Sequence, residues 1–311
     1  MQQQTTITLK VSDKTKEQML EFFEDLKREK TPPYAIFQAK DGDTVVTLYE
    51  SGKAVFQGKD ADLASDFWIA TEQINSGTAT TTDSRNKEKE KKPVKILPLR
   101  INSIGSDEVG TGDYFGPIVV TASYVEKANI DFLLDLKVKD SKKLTDEQII
   151  KIVPQIIKKI PYQTFILKNE EYNNHKENNI NMNQMKAILH NKVLYELKQK
   201  KYPYDYIVVD QFEPPKSYYN HIAKSPRRVQ DIFFLTKAED QCLSVACSSL
   251  ISRYIFLKEM DKLSKELGII LPKGANPTVD EVGKKIVSIY GKEKLKSIAK
   301  LNFKNTDKIL K

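Results

Sequence analysis

The stretch IGSDEVGTGDYFGPIVV, residues 104–120, constrains the fold more than any other part of this 311-residue chain. Two apolar runs of the kind that form strands flank a turn with three glycines. Glycine adopts backbone conformations that other residues avoid, so the chain can turn sharply here and return. The stretch therefore predicts two adjacent strands, and the first of them ends on the acid pair Asp107 and Glu108.

A glycine-rich turn after a strand raises the alternative of a dinucleotide-binding site. That site needs the spacing G-x-G-x-x-G followed by a helix whose N-terminus faces the pyrophosphate. Here Gly110, Gly112 and Gly116 are spaced G-x-G-x-x-x-G, and the next segment, opened by Pro117, has a strand pattern. The missing helix argues against a nucleotide site, and no organic cofactor is expected.

The positions of the acids suggest a different ligand. Asp210 stands where the apolar strand YIVVD ends, at the carboxyl edge where α/β sheets collect ligands. Successive strand residues point to opposite faces, so Asp107 is expected to be the principal inward carboxylate. Glu108 then needs a bulge or a bridging water to join it. Glu239 and Asp240 open the predicted helix after the next strand.

Converging carboxylates repel each other and raise one another's pKa, so a bound divalent cation is the natural way to keep them ionised. Oxygen ligands suit Mg²⁺ or Mn²⁺, and two such ions can activate water and stabilise the leaving oxygen of a phosphodiester. For Glu239 and Asp240 the simpler interpretation is that a helix N-terminus attracts acids. Both interpretations stay open at this point.

Composition and charge limit the class of protein. A net charge of +8 favours a polyanionic partner only where the basic residues cluster. The first residues lack the apolar centre of a secretory signal and no apolar run is long enough to span a membrane, so a cytoplasmic protein without a membrane partner is expected. Cys242 and Cys247 are expected to be reduced and buried. No heptad pattern argues for assembly, so a monomer is expected.

A polar, charged stretch divides the chain. Residues 76–98 are poor in apolar residues and rich first in Ser and Thr, then in Lys and Glu, so they cannot bury enough surface to order themselves. We expect a flexible linker here, between an N-terminal domain, residues 1–75, and a C-terminal domain, residues 99–311. In the first domain the strand and helix patterns predict a curved antiparallel sheet with helices on one face and the other face free.

The free face of the N-terminal sheet is a candidate nucleic-acid surface. Lys10, Lys53, Lys59, Tyr49 and Phe56 belong to its strands or follow them. Basic and aromatic side chains on an open sheet can bind a nucleic-acid backbone. Because side chains alternate along a strand, some of these five are expected on the packed side instead.

In the C-terminal domain, strands begin as a pair and later alternate with helices, which predicts a mixed α/β sheet with helices packed on it. NMNQMKAILHNKVLYELKQK predicts an amphipathic helix, on which His190 is expected to be a helix-face residue rather than a catalytic base. A second long helix is predicted from about Glu239 to Lys262. Ser248 and Ser249 on that helix are expected to pack it against the sheet.

Seven segments, in this order along the chain, resemble the bacterial ribonuclease HIII family, a relative of ribonuclease HII. The resemblance runs from about residue 100 to the end and implies a ribonuclease H-like mixed sheet with flanking helices. The N-terminal domain resembles the small α+β substrate-binding domain of that family, which is similar to half of the TATA-binding protein saddle. The segments are IGSDEVGTGDYFGPIVVTASYV, KDSKKLTDEQI, MNQMKAILHN, YIVVDQF, TKAEDQCLSVACSSLISRY, LPKGA and NFKNT.

The resemblance implies an endoribonuclease that hydrolyses the RNA strand of an RNA/DNA hybrid by a two-metal-ion mechanism, leaving 5′-phosphate and 3′-hydroxyl ends. By motif match, Asp107 and Glu108 take the roles of the first acid pair and Asp210 that of the third acid. All three are implied as ligands of Mg²⁺ or Mn²⁺. The family's Lys-small-acid step aligns with Lys237-Ala238-Glu239, so Glu239 is implied as the fourth acid, with Asp240 in reserve.

Substrate contacts are implied at two loops. Ribonuclease HII carries Gly-Arg-Gly where this chain has Gly110-Thr111-Gly112. The backbone of such a turn can approach a ribose, whose 2′-hydroxyl distinguishes RNA from DNA. Because the Arg is absent, longer RNA stretches rather than a single embedded ribonucleotide are expected as substrate. Ser141, Lys142 and Lys143 are candidates to hold phosphates, and a solvated loop is the alternative.

Two other functions stay open from sequence. One is a non-catalytic RNA/DNA-hybrid-binding protein that kept the fold, and the other is a structural or interaction protein whose basic charge is incidental. The acid set separates them from the nuclease. A binding protein would have no reason to keep Asp107, Glu108, Asp210 and Glu239 together against their mutual repulsion.

Overall fold

We describe the chain from a computed structural model. The chain divides into two compact units, Met1–Lys95 with Phe212–Asn220, and Ile96–Gln211 with His221–Lys311. No helix in the part of the chain that the structure describes is long and apolar enough to cross a membrane. The structure describes residues 5–41, 44–58, 61–77, 81–83 and 100–311.

In the N-terminal unit, the described residues between 5 and 83 form an antiparallel sheet and two α-helices. Most of the predicted linker, residues 76–98, lies outside the described residues. Residues 81–83 form a short strand, which the composition does not indicate. The elements are β1 (Thr5–Lys10), α1 (Asp13–Phe22), β2 (Ala35–Asp41), β3 (Thr44–Tyr49), β4 (Lys53–Gly58), α2 (Ala61–Ser76) and β5 (Thr81–Asp83).

The strand order is β2-β3-β4-β1-β5, and every neighbouring pair is antiparallel. Apolar side chains alternate with polar ones along the strands, so one face of the sheet is apolar and packs against the helices. That core holds Leu9, Val46 and Phe56 from the strands, Met19 from α1 and Trp68 from α2. The predicted open antiparallel sheet with helices on one face is confirmed.

Because side chains alternate between the two faces along each strand, the five candidate nucleic-acid-binding residues do not all lie on the free face. Phe56 is fully buried in the core and cannot bind a ligand. Lys10 and Lys53 are exposed, Tyr49 is partly exposed, and Lys59 lies outside the described residues. The open face therefore carries basic charge from at least two strands, while one of the two proposed aromatic side chains belongs to the packed side.

From Arg100 onward the chain forms a second sheet and most of the helices. The strand pair predicted around the glycine turn is confirmed, because a strand follows the turn where a dinucleotide site would need a helix. The elements are β6 (Ser103–Val109), β7 (Ile118–Val125), α3 (Ile130–Asp135), α4 (Asp146–Lys159), β8 (Tyr162–Leu167), α5 (Asn169–Glu177), α6 (Met182–Lys198), β9 (Tyr206–Asp210), α7 (Pro215–His221), β10 (Ile232–Leu235), α8 (Leu243–Leu267), α9 (Pro277–Tyr290), α10 (Lys294–Ile298) and α11 (Lys304–Leu310).

This sheet has the order β10-β9-β6-β7-β8. β6 is antiparallel to β7 and parallel to β9, and β9 is parallel to β10. The predicted mixed sheet is confirmed. Because β6, β9 and β10 run in the same direction, their carboxyl ends meet at one edge of the sheet, which we call the acid edge for the residues that follow there.

Helices α6 and α8 pack on opposite faces of β6. α8 crosses so closely that a Cβ added at Gly105 would lie 2.4 Å from the Val245 main-chain nitrogen. The Ser248 hydroxyl donates to Gly105 O (2.9 Å), so the predicted packing role of Ser248 is confirmed. Cys242 and Cys247 are free and buried, also as predicted.

The prediction that Glu239 and Asp240 open the long helix is wrong. They lie in a separate 3₁₀ turn, Ala238–Asp240, and α8 begins only at Leu243. Cys242, between the turn and α8, has an extended backbone (φ −132°, ψ 115°), so the turn does not continue into the helix. The apolar spacing runs on across this break, so periodicity alone does not reveal it.

Candidate active site

The acid edge brings together residues that lie far apart in the chain. Asp107 and Glu108 lie near the end of β6, and Asp210 is the last residue of β9. Glu239 lies in the turn after β10. The three parallel strands therefore deliver these four predicted acids to one edge of the sheet.

Asp107 points to the α8 face. Its Oδ1 accepts a hydrogen bond from the Glu108 main-chain N–H (2.9 Å), and the Ser249 hydroxyl bonds to the same carboxyl group. Burial raises the pKa of Asp107 well above its usual range, and the charges of Glu108 and Asp210 raise it further. Without a cation, this carboxyl is therefore held against its ionised form. Ser249 thus contacts an acid rather than only packing the helix.

The pKa of Asp210 is also raised. Its Oδ1 accepts a hydrogen bond from the Ala238 main-chain N–H (2.7 Å), which fixes the 3₁₀ turn beside it. Burial, followed by the charge of Glu239, raises the pKa of Asp210 to about 7. Glu239 is partly buried while Asp240 is exposed. Of the two neighbours, Glu239 is the one whose charge acts on Asp210.

Glu108 lies on the opposite face from Asp107, against α6. Its Oε1 is 2.5 Å from Lys186 Nζ, and its Oε2 is 2.8 Å from His190 Nε2. His190 is fully buried, and its Nδ1 is 2.8 Å from the Ser106 hydroxyl. Burial alone would raise the pKa of Glu108, but the charge of Lys186 and the bonds from His190 and Lys186 lower it below the usual range.

No bulge brings Glu108 toward Asp107. The β6–β7 register runs unbroken from Ser103 to Val109. Glu108 nevertheless acts on both other acids, because its charge raises the pKa of Asp107 and of Asp210. The two neighbouring acids therefore flank the edge of the sheet from its two faces, rather than sharing one face as a bulge would allow.

Lys186 and His190 are functional candidates that the sequence reasoning missed. His190 lies on a face of α6, as expected, but that face is buried, and its Nε2 bonds to Glu108. The signal was available in the spacing. Residues four apart on a helix share one face, so Lys186 and His190 of α6 reach the same carboxylate.

The predicted substrate turn, Gly110-Thr111-Gly112, follows β6 directly. Gly110 has a φ of +100°, and a Cβ there would lie 2.2 Å from Pro117 O, so only glycine fits. A Cβ at Gly112 would meet nothing within 4 Å. The turn therefore exposes main chain to an approaching ligand at Gly112.

The second predicted loop is only partly described. Val138–Lys143 forms a 3₁₀ helix, in which Lys143 is exposed. The side chains of Ser141 and Lys142 lie outside the described residues. The phosphate-binding role of these three residues stays a prediction.

The acids fit a divalent metal by donor chemistry. Within the described ranges, no group of three or more His, Cys, Asp or Glu side chains lies close enough together to bind a metal ion as the structure stands. Glu108 is turned to Lys186, whose ammonium supplies it with positive charge. Asp107 and Asp210, by contrast, are buried oxygen donors whose pKa values are raised first by burial and then by the charges of neighbouring carboxylates. Hard oxygen donors with excess negative charge suit Mg²⁺ or Mn²⁺.

Comparison with known sequences gives two family matches. The family described as Ribonuclease HII matches residues 104–306, and a Domain of unknown function (DUF3378) matches residues 6–81. Ribonuclease HIII of Bacillus licheniformis is 44% identical over 283 residues, which cover 88% of this chain and 88% of that protein. Ribonuclease HIII of Bacillus subtilis is 42% identical over 283 residues, covering 89% and 88%.

Comparison with solved structures agrees in fold over nearly the whole chain. A crystal structure of Bst-RNase HIII in complex with Mn²⁺ superposes with a TM-score of 0.69 at 37% identity, covering 98% of each chain. The match includes the small N-terminal α+β unit as well as the mixed sheet.

Proposed function

Because this chain belongs to the ribonuclease HII/HIII family, we propose that it cuts the RNA strand of RNA/DNA hybrids endonucleolytically and leaves 5′-phosphate and 3′-hydroxyl ends. Family membership makes it a ribonuclease H enzyme. The observation that carries the proposal is the acid edge, where the charges of Glu108 and Asp210 raise the pKa of buried Asp107. Mutual repulsion between these carboxylates destabilises the folded protein. A metal ion bound between them in a nuclease would offset that repulsion and place the ion at the site of cleavage.

Asp107, Glu108 and Asp210 are the proposed metal ligands. Mg²⁺ or Mn²⁺ is the proposed cofactor, used as a pair of ions, and the relative Bst-RNase HIII has been crystallised with Mn²⁺. When bound, such ions lower the pKa of an attacking water and stabilise the departing oxygen of a phosphodiester. The chain's own contribution is orientation: Ser249 and the Glu108 N–H hold Asp107, and the Ala238 N–H holds Asp210.

Glu239 is the proposed fourth acid, with Asp240 in reserve. Two observations favour Glu239: its charge acts on Asp210, and it is partly buried at the acid edge while Asp240 faces solvent. A carboxylate beside the ligands can orient a water through a hydrogen bond or join them directly.

The turn Gly110-Thr111-Gly112 is the proposed ribose contact. It begins two residues after Glu108, and its main chain is open at Gly112. A 2′-hydroxyl both donates and accepts, so backbone groups can recognise it. Ser141, Lys142 and Lys143 are proposed to hold phosphates of the same strand, since charged and hydroxyl side chains position a duplex through its backbone.

The open face of the N-terminal sheet is proposed to hold the hybrid duplex. Exposed Lys10 and Lys53 lie on the adjacent strands β1 and β4, opposite each other in the register. Paired lysines on a face not covered by helices suit a phosphate backbone, without selecting a sequence. Action as a monomer in the cytoplasm stays a prediction.

A panel of matched duplexes tests the proposal. RNA/DNA, RNA/RNA and DNA/DNA with a single embedded ribonucleotide are incubated with the chain in Mg²⁺ or Mn²⁺, and binding and cleavage are measured together. We expect cleavage of RNA/DNA, with mass spectrometry of the products giving 5′-phosphate and 3′-hydroxyl ends. Tight binding of RNA/DNA without cleavage in either metal would instead favour the non-catalytic hybrid-binding protein.

A further inference from the structure

The turn that follows the acid edge is held from a distant part of the chain. Its own hydrogen bonding is weak, since the Asp113 N–H reaches Gly110 O only at 3.4 Å. Most of its partners come from the segment between α8 and α11. Tyr114 N–H donates to Gly274 O (2.9 Å), and Gly116 N–H donates to Ile298 O (2.9 Å).

The side chain of Lys300 adds two more hydrogen bonds to the turn. Lys300 Nζ donates to Asp113 O (2.7 Å) and to Gly116 O (2.6 Å), while its main-chain N–H donates to Tyr114 O (2.9 Å). Lys300 is fully buried. Its amine thus bridges two carbonyls that lie three residues apart, between the Gly110–Gly112 turn and the start of β7.

Burial of a lysine amine is costly, so its retention needs a reason. Among the described residues, the Lys300 amine has two carbonyl oxygens as hydrogen-bond partners and no carboxylate, since the Asp113 carboxyl accepts from the Gly274 N–H (2.6 Å). Burial lowers the pKa of Lys300 to about 7, against the opposing charge of Asp113. Charged or neutral, the amine keeps at least two N–H donors, and two is the number of carbonyls it meets.

We infer that Lys300 is a positioning residue that fixes the main chain of the Gly110–Gly112 turn for recognition of the ribose 2′-hydroxyl. The inference rests on the proposed function, in which this turn contacts the RNA strand. A carbonyl fixes the plane of its whole peptide unit. By holding Asp113 O, Lys300 therefore sets the plane of the Asp113–Tyr114 peptide, which begins one residue after the open position at Gly112.

The test separates recognition from stability. Lys300→Met keeps the length of the side chain and removes both donors, and exposed Lys292→Met removes the same charge without touching the turn. For each full-length protein, cleavage of an RNA/DNA hybrid is compared with cleavage of the same hybrid carrying one 2′-deoxyribose beside the cut site. The ratio of the two kcat/KM values is the discrimination factor.

We expect Lys300→Met to reduce the discrimination factor about fivefold, the loss that one ordinary hydrogen bond represents, while Lys292→Met leaves it at the wild-type value. A purely structural lysine would lower the folded fraction and scale both rates equally, so an unchanged factor in Lys300→Met overturns the inference. If Lys300→Met does not fold, Lys300→Leu, which also removes the N–H donors, is measured instead, and an unchanged factor in that variant overturns the inference.

Gly112→Val distinguishes failure of the inference from failure of the proposed turn contact. The new side chain enters open space, so it should obstruct a ribose without disturbing the fold. If Gly112→Val raises KM or changes the discrimination factor while Lys300→Met does neither, the turn contacts the substrate and Lys300 does not position it. If neither variant has an effect, the proposed ribose contact fails as well.

Discussion

The acid edge and the glycine turn are joined by a few residues of β6, yet they are built in opposite ways. At the acid edge, Asp107 and Asp210 are buried beside like charges, and the pKa of each is raised. At the turn, the carbonyls of Asp113 and Gly116 each accept a hydrogen bond from Lys300. Gly116 O accepts a second one from Asn169 Nδ2 (2.9 Å).

The two regions are built differently because cation binding and ribose recognition have different requirements. A site that must take up cations gains affinity when its ligands are left with uncompensated charge, at a cost to the stability of the free protein. A site that must discriminate between ribose and deoxyribose gains from a main chain that is fixed before the ligand arrives. Each of the following changes breaks one side of this contrast.

The largest expected effect comes from neutralising the acid edge. Asp107→Asn or Asp210→Asn removes a proposed metal ligand, so cleavage of an RNA/DNA hybrid in Mg²⁺ should fall by more than about a thousandfold. Hybrid binding, measured by fluorescence anisotropy, should stay near the wild-type value. Asp261→Asn, an exposed acid of α8 paired with Lys265, is the matched control and should cleave normally. Near-wild-type cleavage by either edge variant would sink the site assignment.

The next effect distinguishes the two neighbouring acids. Glu239→Gln should lower kcat by about a hundredfold and Asp240→Asn by less than about twofold, because Glu239 is the partly buried acid whose charge raises the pKa of Asp210, while Asp240 is exposed. Single-turnover cleavage at saturating enzyme gives the comparison. If Asp240→Asn alone loses activity, the choice between the two is wrong.

A smaller effect is expected from the α6 side of the edge. Lys186→Met removes the ammonium that holds Glu108 Oε1 and should shift the Mg²⁺ concentration for half-maximal cleavage by about tenfold in one direction or the other. Lys192→Met, on the same helix but pointing to the Phe165 ring, should leave the metal titration unchanged. An unshifted titration in Lys186→Met would mean that Glu108 does not depend on Lys186 for its position.

The smallest effect concerns stability at the turn. Folding lowers the pKa of Lys300 from 10.5 to about 7, so between these values the unfolded chain binds more protons. The stabilisation contributed by Lys300 therefore grows as pH rises through this window and is smallest below it. Lys300→Met should destabilise the C-terminal unit by roughly 1–3 kcal/mol at about pH 9, and by less at about pH 7.

Urea unfolding followed by far-UV circular dichroism measures this difference. Fluorescence would not, because the only tryptophan of the chain, Trp68, belongs to the core of the N-terminal unit. A destabilisation that is equal at both pH values would show that the amine is not buried in the way described.

The sequence predicts the acid edge well because parallel strands impose it. Once YIVVD and SIGSDEV are identified as strands of one sheet, the carboxyl ends carrying Asp210 and Asp107 must meet if the strands are parallel neighbours. The start of α8 was mispredicted because the extended residue Cys242 interrupts the helical backbone without interrupting its apolar spacing. Periodicity reports which face is buried, and it does not report a local break in the backbone.

The partners of the site are harder to predict than its acids. Lys186 and His190 reach Glu108 across 78 and 82 positions, and Lys300 reaches Asp113 across 187. A lone lysine near the end of a basic chain looks like solvated charge. Only the packing of the last helices against the turn shows that this one is buried.

The most direct test of the contrast is the thermal stability of wild type and Asp107→Asn, each with and without Mn²⁺. Removing one buried carboxylate from the acid edge should raise the melting temperature of the metal-free C-terminal unit by about 2–4 °C, the shift that roughly 1 kcal/mol gives in a unit of about 200 residues. Mn²⁺ should stabilise the wild type and have little effect on the variant. A metal-free variant that melts below the wild type, with an undiminished response to Mn²⁺, would contradict an acid edge held open for a cation.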